Sequence, residues 1–321
     1  MKTSAAPLPS SLSPLLLAGP TAAGKSAVAL SLAEKLGGEI ISVDSMQVYR
    51  GLDVGTAKPT LAERQRVTHH LIDILELTES FDAAQFARRA QAAVAEIQNR
   101  GRVPILCGGT GLYFKAFLAG LGEAPPANPE VRAQLEKSPL PKLLVELEAR
   151  DPFTYQRIDR QNPRRVIRAL EVIRLTGKPF SVQRASWSGD ESSGPEGGTK
   201  LFFGLIRSSA DLHARIEARV DEMFRRGLVA ETERLLTLGL GKNPTAMQAL
   251  GYRQVVEYLR GDRSLEATIA LVKVRTRQFA KRQMTWFRGH AKVNWITLER
   301  EARLSALAER LAGHYQDQLQ E

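Results

Sequence analysis

Apolar residues in this chain fall either into short unbroken runs or into longer stretches of helical period. Leu15-Leu16-Leu17-Ala18, Glu39-Ile40-Ile41-Ser42-Val43 and Val103-Pro104-Ile105-Leu106-Cys107 are compact runs, each followed at once by Gly or Asp. Such runs suit strands buried on both faces of a parallel sheet. After the first run, residues Ala27 to Leu36 repeat their apolar positions at helical spacing and stop at Gly37-Gly38, a C-terminal cap. Further helical patterns cover Lys142 to Arg150, Pro163 to Thr176 and Asp211 to Arg226. Strands alternating with helices predict an α/β fold around a parallel sheet.

Two breaks interrupt this alternation. Gly120 to Pro129 holds three prolines, and Trp187 to Lys200 is dense in Gly, Ser and acidic residues and reads as a mobile loop. Between them the segment is helix-prone throughout. The expected layout is therefore a core from 15–120 and 200–321 that closes with C-terminal helices, carrying a helical insertion at 121–199. The Ser-, Pro- and Ala-rich residues 1–14 read as a disordered leader. The apolar run Pro14 to Ala18 is too short to cross a membrane and no cleavage site follows it, so a soluble, cytoplasmic protein without membrane contact is expected.

Composition changes this picture in one respect. At 321 residues and 43% hydrophobic, the chain can bury a sizeable core. Its 45 basic and 35 acidic side chains leave a net charge of +10, which points to an anionic partner, nucleic acid or an acidic membrane surface. The excess is concentrated. Arg150 to Lys178 carries eight basic against three acidic residues, and Lys273 to Lys292 carries seven basic and no acidic ones. The aromatics interleaved in the second patch, Phe279, Trp286 and Phe287, read as core residues with the cations turned outward. A single cysteine, Cys107, excludes an intrachain disulfide framework and reads as a small apolar residue at a strand end.

The first strand runs into Gly19-Pro20-Thr21-Ala22-Ala23-Gly24-Lys25-Ser26, a match to G-x-x-x-x-G-K-[ST] in the strand–loop–helix context that this motif needs. Its glycines let backbone N–H groups converge on an anion, Lys25 adds a full charge, and the Ser26 hydroxyl suits Mg²⁺. Asp44, directly after the second strand, should lie near this loop because ligand sites of parallel sheets sit beyond the C-terminal strand ends. It is a candidate general base or metal support; a turn-capping role is the structural alternative. Gly108-Gly109-Thr110-Gly111 permits close backbone approach to a ligand. These features alone leave a small-molecule kinase or an RNA-stimulated ATPase open, although the third strand ends without the carboxylate that such enzymes place there. His69 and His70 carry no ligand spacing and read as packing residues.

Further motifs accompany the loop. Ile41 to Tyr49, Asp53 to Pro59, His69 to Asp73, Gly108 to Tyr113, Arg165 to Val172, Leu212 to Ile216, Gln248 to Arg253 and Thr276 to Phe287 follow in order. Together with Gly19 to Ser26 they resemble the tRNA dimethylallyltransferases, also called tRNA isopentenyltransferases, over nearly the whole chain.

The resemblance implies a P-loop NTPase-like core and transfer of a dimethylallyl group from dimethylallyl diphosphate to N6 of the adenosine 3′ of the anticodon, position 37 of the tRNA. It implies Mg²⁺ on Ser26, diphosphate held by residues 19–26 (Gly19, Pro20, Thr21, Ala22, Ala23, Gly24, Lys25 and Ser26), and Asp44, Thr21, Lys25 and Arg215 in catalytic roles. A surface salt bridge to Glu222 or its neighbours is the structural alternative for Arg215. Contacts to the tRNA anticodon stem-loop are expected from Asp44, Ser45, Met46 and Gln47, from Thr110 and Arg132, and from Arg164, Arg165, Val166, Ile167 and Arg168. Arg164 departs from the Pro-Gln found in many members. A monomer is expected.

Overall fold

Six strands hydrogen-bond side by side in one wholly parallel sheet in the computed structural model, which describes residues 12–122, 124–183 and 201–320. The leader before residue 12 and the whole of the 187–200 loop lie outside the described residues. In chain order the strands are β1 (Leu15–Ala18), β2 (Glu39–Val43), β3 (His69–His70), β4 (Pro104–Gly108), β5 (Phe202–Arg207) and β6 (Asn294–Leu298). Across the sheet they lie in the order β3-β2-β4-β1-β5-β6. The chain leaves β1 for β2 on one side and later returns to β5 on the other. Reversals of this kind open a crevice at the C-terminal strand ends, here beyond β1 and β4.

The described residues divide into two compact units, one drawn from 1–117 and 195–321, the other from 118–194. In the first, Leu15, Leu16 and Leu17 are wholly buried, as are Ile41, Ile105 and Leu106. Helices cover both faces of these central strands, so the strands read as continuous apolar runs rather than alternating ones. Burying each such leucine contributes roughly 1.5–3 kcal/mol. The helices Lys25–Leu36 and Leu304–Gln320 pack against one another over this core. The second unit is helical. Its core joins Leu135, Leu143, Leu147, Val166, Leu170 and Ile173 from the helices Pro129–Glu136, Leu140–Arg150 and Pro163–Thr176.

The two histidines are explained at the sheet edge. His70 Nε2 lies 2.6 Å from the carboxylate of Glu39, and Arg100 donates to the same carboxylate at 2.7 Å. Burial opposes ionisation of Glu39, but these two partners outweigh it and hold its carboxyl below the usual range. His69 Nδ1 sits 2.8 Å from the carbonyl of Val67. Among the described residues no group of three or more His, Cys, Asp or Glu could hold a metal, and no helix is long and apolar enough to cross a membrane.

Backbone approach is close at Gly204 in β5, where an added Cβ would meet the Trp295 ring at 2.5 Å. Gly204→Ala is expected to destabilise the protein by about 1–3 kcal/mol, read as a lower thermal midpoint. Gly289→Ala, in the helix Leu265–His290 with nothing within 4 Å, should be neutral or stabilising by up to about 1 kcal/mol.

Candidate functional site: an anion cradle beside a carboxylate

The helix Lys25–Leu36 begins without the side-chain cap that many of the other helices have. Side chains of Thr60, Asp82, Asn128, Asn162, Ser208 and Ser264 cap the helices that follow them. Lys25–Leu36 starts instead from Gly24 at φ 104°, with no side-chain cap and no acidic residue in its first turn. The first amides of a helix have no intrahelical acceptor and carry partial positive charge. Left uncapped, they form an anion site.

To face its amides inward, the loop Gly19 to Ser26 turns carbonyls outward, and cations meet them. Lys25 Nζ donates to Pro20 O at 2.8 Å, Arg215 Nε to Ala22 O at 3.1 Å, and Arg207 Nε to Ala23 O at 2.9 Å. Arg207 is itself buried and paired with Asp211 at 2.8 Å. Gly19 lies against β5, where a Cβ would fall 2.5 Å from Leu205 O. Ala22 holds a left-handed φ of 65° without being glycine.

An open cleft of about 490 Å³ lies over this loop. Thr21, Ala22, Gly24, Lys25 and Ser26 line it on one side, and Asp44 and Gln47 on another. Arg215 also lines it. Its bond is to Ala22, while Glu222 pairs with Arg225, so the salt-bridge alternative for Arg215 does not apply. Asp44 takes the turn-capping role considered for it: Oδ1 accepts from the amides of Met46 at 2.8 Å and Gln47 at 3.3 Å. Its Oδ2 accepts no hydrogen bond among the described residues and remains available to a ligand. Ser26 is exposed at the mouth of the helix.

Burial lowers the Lys25 ammonium from 10.5 to about 8; Cys107 and Asp44 oppose the fall and Arg219 adds to it. Burial likewise pushes the Cys107 thiol up to about 11, as befits a packed side chain rather than a nucleophile.

Several expected contacts are committed elsewhere. The Gln47 amide accepts from Ser42 Oγ at 2.8 Å and donates toward Thr56 O at 3.3 Å. Ser45, Met46 and Thr110 do not line the cleft; Thr110 N donates to Val43 O at 3.3 Å. In the helical unit Arg164 and Arg165 are exposed. Val166 is wholly buried and Ile167 nearly so, so these side chains pack inward. Arg132 and Arg168 both grip the wholly buried Glu171, at 3.0 and 2.6 Å, and Arg168 also donates to Pro125 O. Phe287 is buried as expected, whereas Phe279 lines the cleft and Trp286, half-buried, stacks on His290.

Three contributors were not singled out from the sequence, although Gln283 falls within the Thr276 to Phe287 motif. Arg219 lines the cleft and donates to Thr56 O at 3.3 Å. Glu231 accepts from Val54 N at 3.0 Å and from the Tyr252 hydroxyl at 2.6 Å, and so anchors the segment that leads to Thr56 and Ala57 on the cleft wall. Gln283 Oε1 accepts from Thr21 N at 2.9 Å.

The sequence model of the family described as IPP transferase matches residues 47–290. A tRNA dimethylallyltransferase of Halorhodospira halophila is 49% identical over 284 residues, 86% of this chain and 89% of that one. One from Pelotomaculum thermopropionicum is 43% identical over 302 residues, 93% and 95% of the two chains. The full-length tRNA isopentenylpyrophosphate transferase of Bacillus halodurans superposes with a TM-score of 0.69 at 38% identity, covering 96% of this chain and 97% of that one.

If the cradle binds anions through a charged Lys25, a bound diphosphate will raise the depressed ammonium pKa. Binding of inorganic diphosphate should then take up protons above pH 8, and affinity should fall as pH rises through that value and the unliganded ammonium loses its charge. Calorimetry in buffers of different ionisation enthalpy reads this uptake. Lys25→Arg, whose charge does not titrate there, should abolish the difference that Lys25 makes.

Proposed function

The chain belongs to the tRNA dimethylallyltransferase family, and from that premise we propose that it moves a dimethylallyl group from dimethylallyl diphosphate to N6 of the adenosine 3′ of the anticodon, position 37 of a tRNA. The observation that carries this reading is the pairing, in one cleft, of an uncapped and cation-backed helix terminus with a single carboxylate, Asp44, that keeps one oxygen free. Lys25, Arg215 and the loop amides suit the charge that develops on a departing diphosphate. Thr21, at the lip of the loop, is placed to touch the same group.

The acceptor is an aromatic amine whose lone pair is delocalised, so it gains from losing its proton as the bond forms. In the proposed reaction N6 attacks the first carbon of the dimethylallyl group, the carbon–oxygen bond breaks, diphosphate leaves, and Asp44 Oδ2 accepts the N6 proton. The cap on Oδ1 fixes the direction of the other oxygen. Mg²⁺ belongs to the proposal as well. The Ser26 hydroxyl is a hard oxygen ligand at the helix mouth; with Asp44 the one carboxylate lining the cleft among the described residues, oxygens of the donor diphosphate and water would complete the shell. When bound, the ion would neutralise leaving-group charge.

For the RNA, the exposed cations are the candidates: Arg164 and Arg165 at the start of Pro163–Thr176, and Lys281, Arg282 and Arg288 along Leu265–His290. Arg132 and Arg168, which share the one carboxylate of Glu171, would serve the RNA by shaping the helical unit. A phosphoryl-transfer enzyme would want a further acid at the end of β4. Asp44 is the one carboxylate lining the cleft among the described residues, which favours alkyl transfer.

Incubation with radiolabelled dimethylallyl diphosphate, Mg²⁺ and unmodified tRNA should place label on the tRNA and release diphosphate; ATP turnover with unlabelled RNA would instead favour a kinase or ATPase. Asp44→Ala should lose at least about a hundredfold in kcat while binding tRNA normally. Binding of tRNA should weaken steeply between about 50 and 200 mM salt, and Lys281→Ala with Arg282→Ala should lower that slope.

A further inference from the structure

Gln283 lies on the helix Leu265–His290, 262 residues from Thr21 in sequence, yet its carboxamide closes the floor of the cleft. Oε1 accepts from Thr21 N at 2.9 Å, and Nε2 donates to Gly109 O at 3.0 Å. The side chain is buried, and Gly109 leaves it no slack: a Cβ there would fall 2.2 Å from Nε2. Both ends of one amide are thus spent on the loops that follow β1 and β4. Thr21 spends its amide on Gln283 and Ala23 donates to Pro20 O at 3.3 Å, which leaves the amides of Ala22, Gly24, Lys25 and Ser26 for an anion.

We propose that Gln283 is a positioning residue for the donor diphosphate, which it serves by locking Thr21 and Gly109 so that the loop amides converge. This deepens the reading given above and rests on it. Only a group that accepts and donates at once can make the bridge. An ionised carboxylate can accept from Thr21 but repels Gly109 O and adds negative charge to an anion site. A protonated carboxyl restores both bonds, its carbonyl accepting from Thr21 and its hydroxyl donating to Gly109.

That difference supplies the test. Wild type, Gln283→Leu and Gln283→Glu are titrated with inorganic diphosphate from pH 8 down to pH 5, with circular dichroism and tRNA affinity as checks on folding. Gln283→Leu should bind diphosphate about thirtyfold more weakly at every pH, since an amide and a carbonyl lose their partners. Gln283→Glu should be at least as weak at pH 8 and should regain affinity relative to wild type as pH falls and the carboxyl protonates. A residue that merely fills space predicts no such recovery. The proposal is overturned if both variants bind diphosphate like wild type, or if Gln283→Glu shows no relative gain on acidification. A wild-type protein that binds tRNA but not diphosphate would overturn the reading of the cleft itself. If the variants fail to fold, Gln283→Asn gives the same decision: its shorter amide should reach one partner and recover part of the affinity, and affinity no better than Gln283→Leu counts against the bridge.

Discussion

Everything at the site follows from one backbone constraint: amides that converge on an anion force their carbonyls to point the other way. In the loop from Gly19 to Ser26 those outward carbonyls are met by donors carrying positive charge. Lys25 reaches Pro20 O, Arg215 reaches Ala22 O and Arg207 reaches Ala23 O. Each bond holds the loop open and adds a cation beside it. Ala22 sits in a left-handed conformation that costs an L-residue roughly 1–2 kcal/mol, and it persists because its carbonyl and its neighbours are fixed from outside. The cradle is therefore built before any ligand arrives, which is the condition for electrostatic stabilisation without reorganisation.

The same bookkeeping of partners sorts the positive charge of the chain. Arg207 and Lys58 are buried and satisfied, the latter by Asp53 at 2.6 Å and Asp73 at 2.5 Å. Lys273 and Arg277 pair with Asp221 and Glu217 on the neighbouring helix Ser209–Arg225. Among the exposed cations for which no ion pair is seen in the described residues are Arg164, Arg165, Lys281, Arg282 and Arg288. A net charge of +10 thus overstates the surface available to RNA in some places and hides its placement in others.

The parts of this arrangement that were legible in the sequence are those governed by local rules. Leu15–Ala18 and Glu39–Val43 could be read because strands buried on both faces are apolar without interruption, and the end of Lys25–Leu36 because Gly37 takes a left-handed cap. Asp44 was legible because a parallel sheet puts strand ends together. Val166 and Ile167 are a case of a different kind. Helical period alone marks them as core, and the resemblance that placed them near RNA speaks of positions, not of side-chain direction. Arg207, Glu231 and Gln283 were not legible, since each acts on a loop more than 170 residues away and no spacing connects such partners.

The two sides of the cleft are also built from different materials, and this separates what each can tolerate. The anion side is made of backbone amides, so its residues matter mainly through conformation, and its cations work by bracing carbonyls as much as by charge. The opposite side depends on one side chain, Asp44, whose Oδ1 is tied to the turn amides of Met46 and Gln47. The wall beside it, Thr56 and Ala57, is held by Gln47 and Arg219, and its approach by Glu231 and Lys58. Damage on the anion side should therefore appear first as lost donor affinity, and damage around Asp44 as lost turnover. Gln283 joins the loops behind the anion side to the helix whose outer face carries Lys281 and Arg282, so the posture of the cradle and that of the basic surface are fixed by one helix.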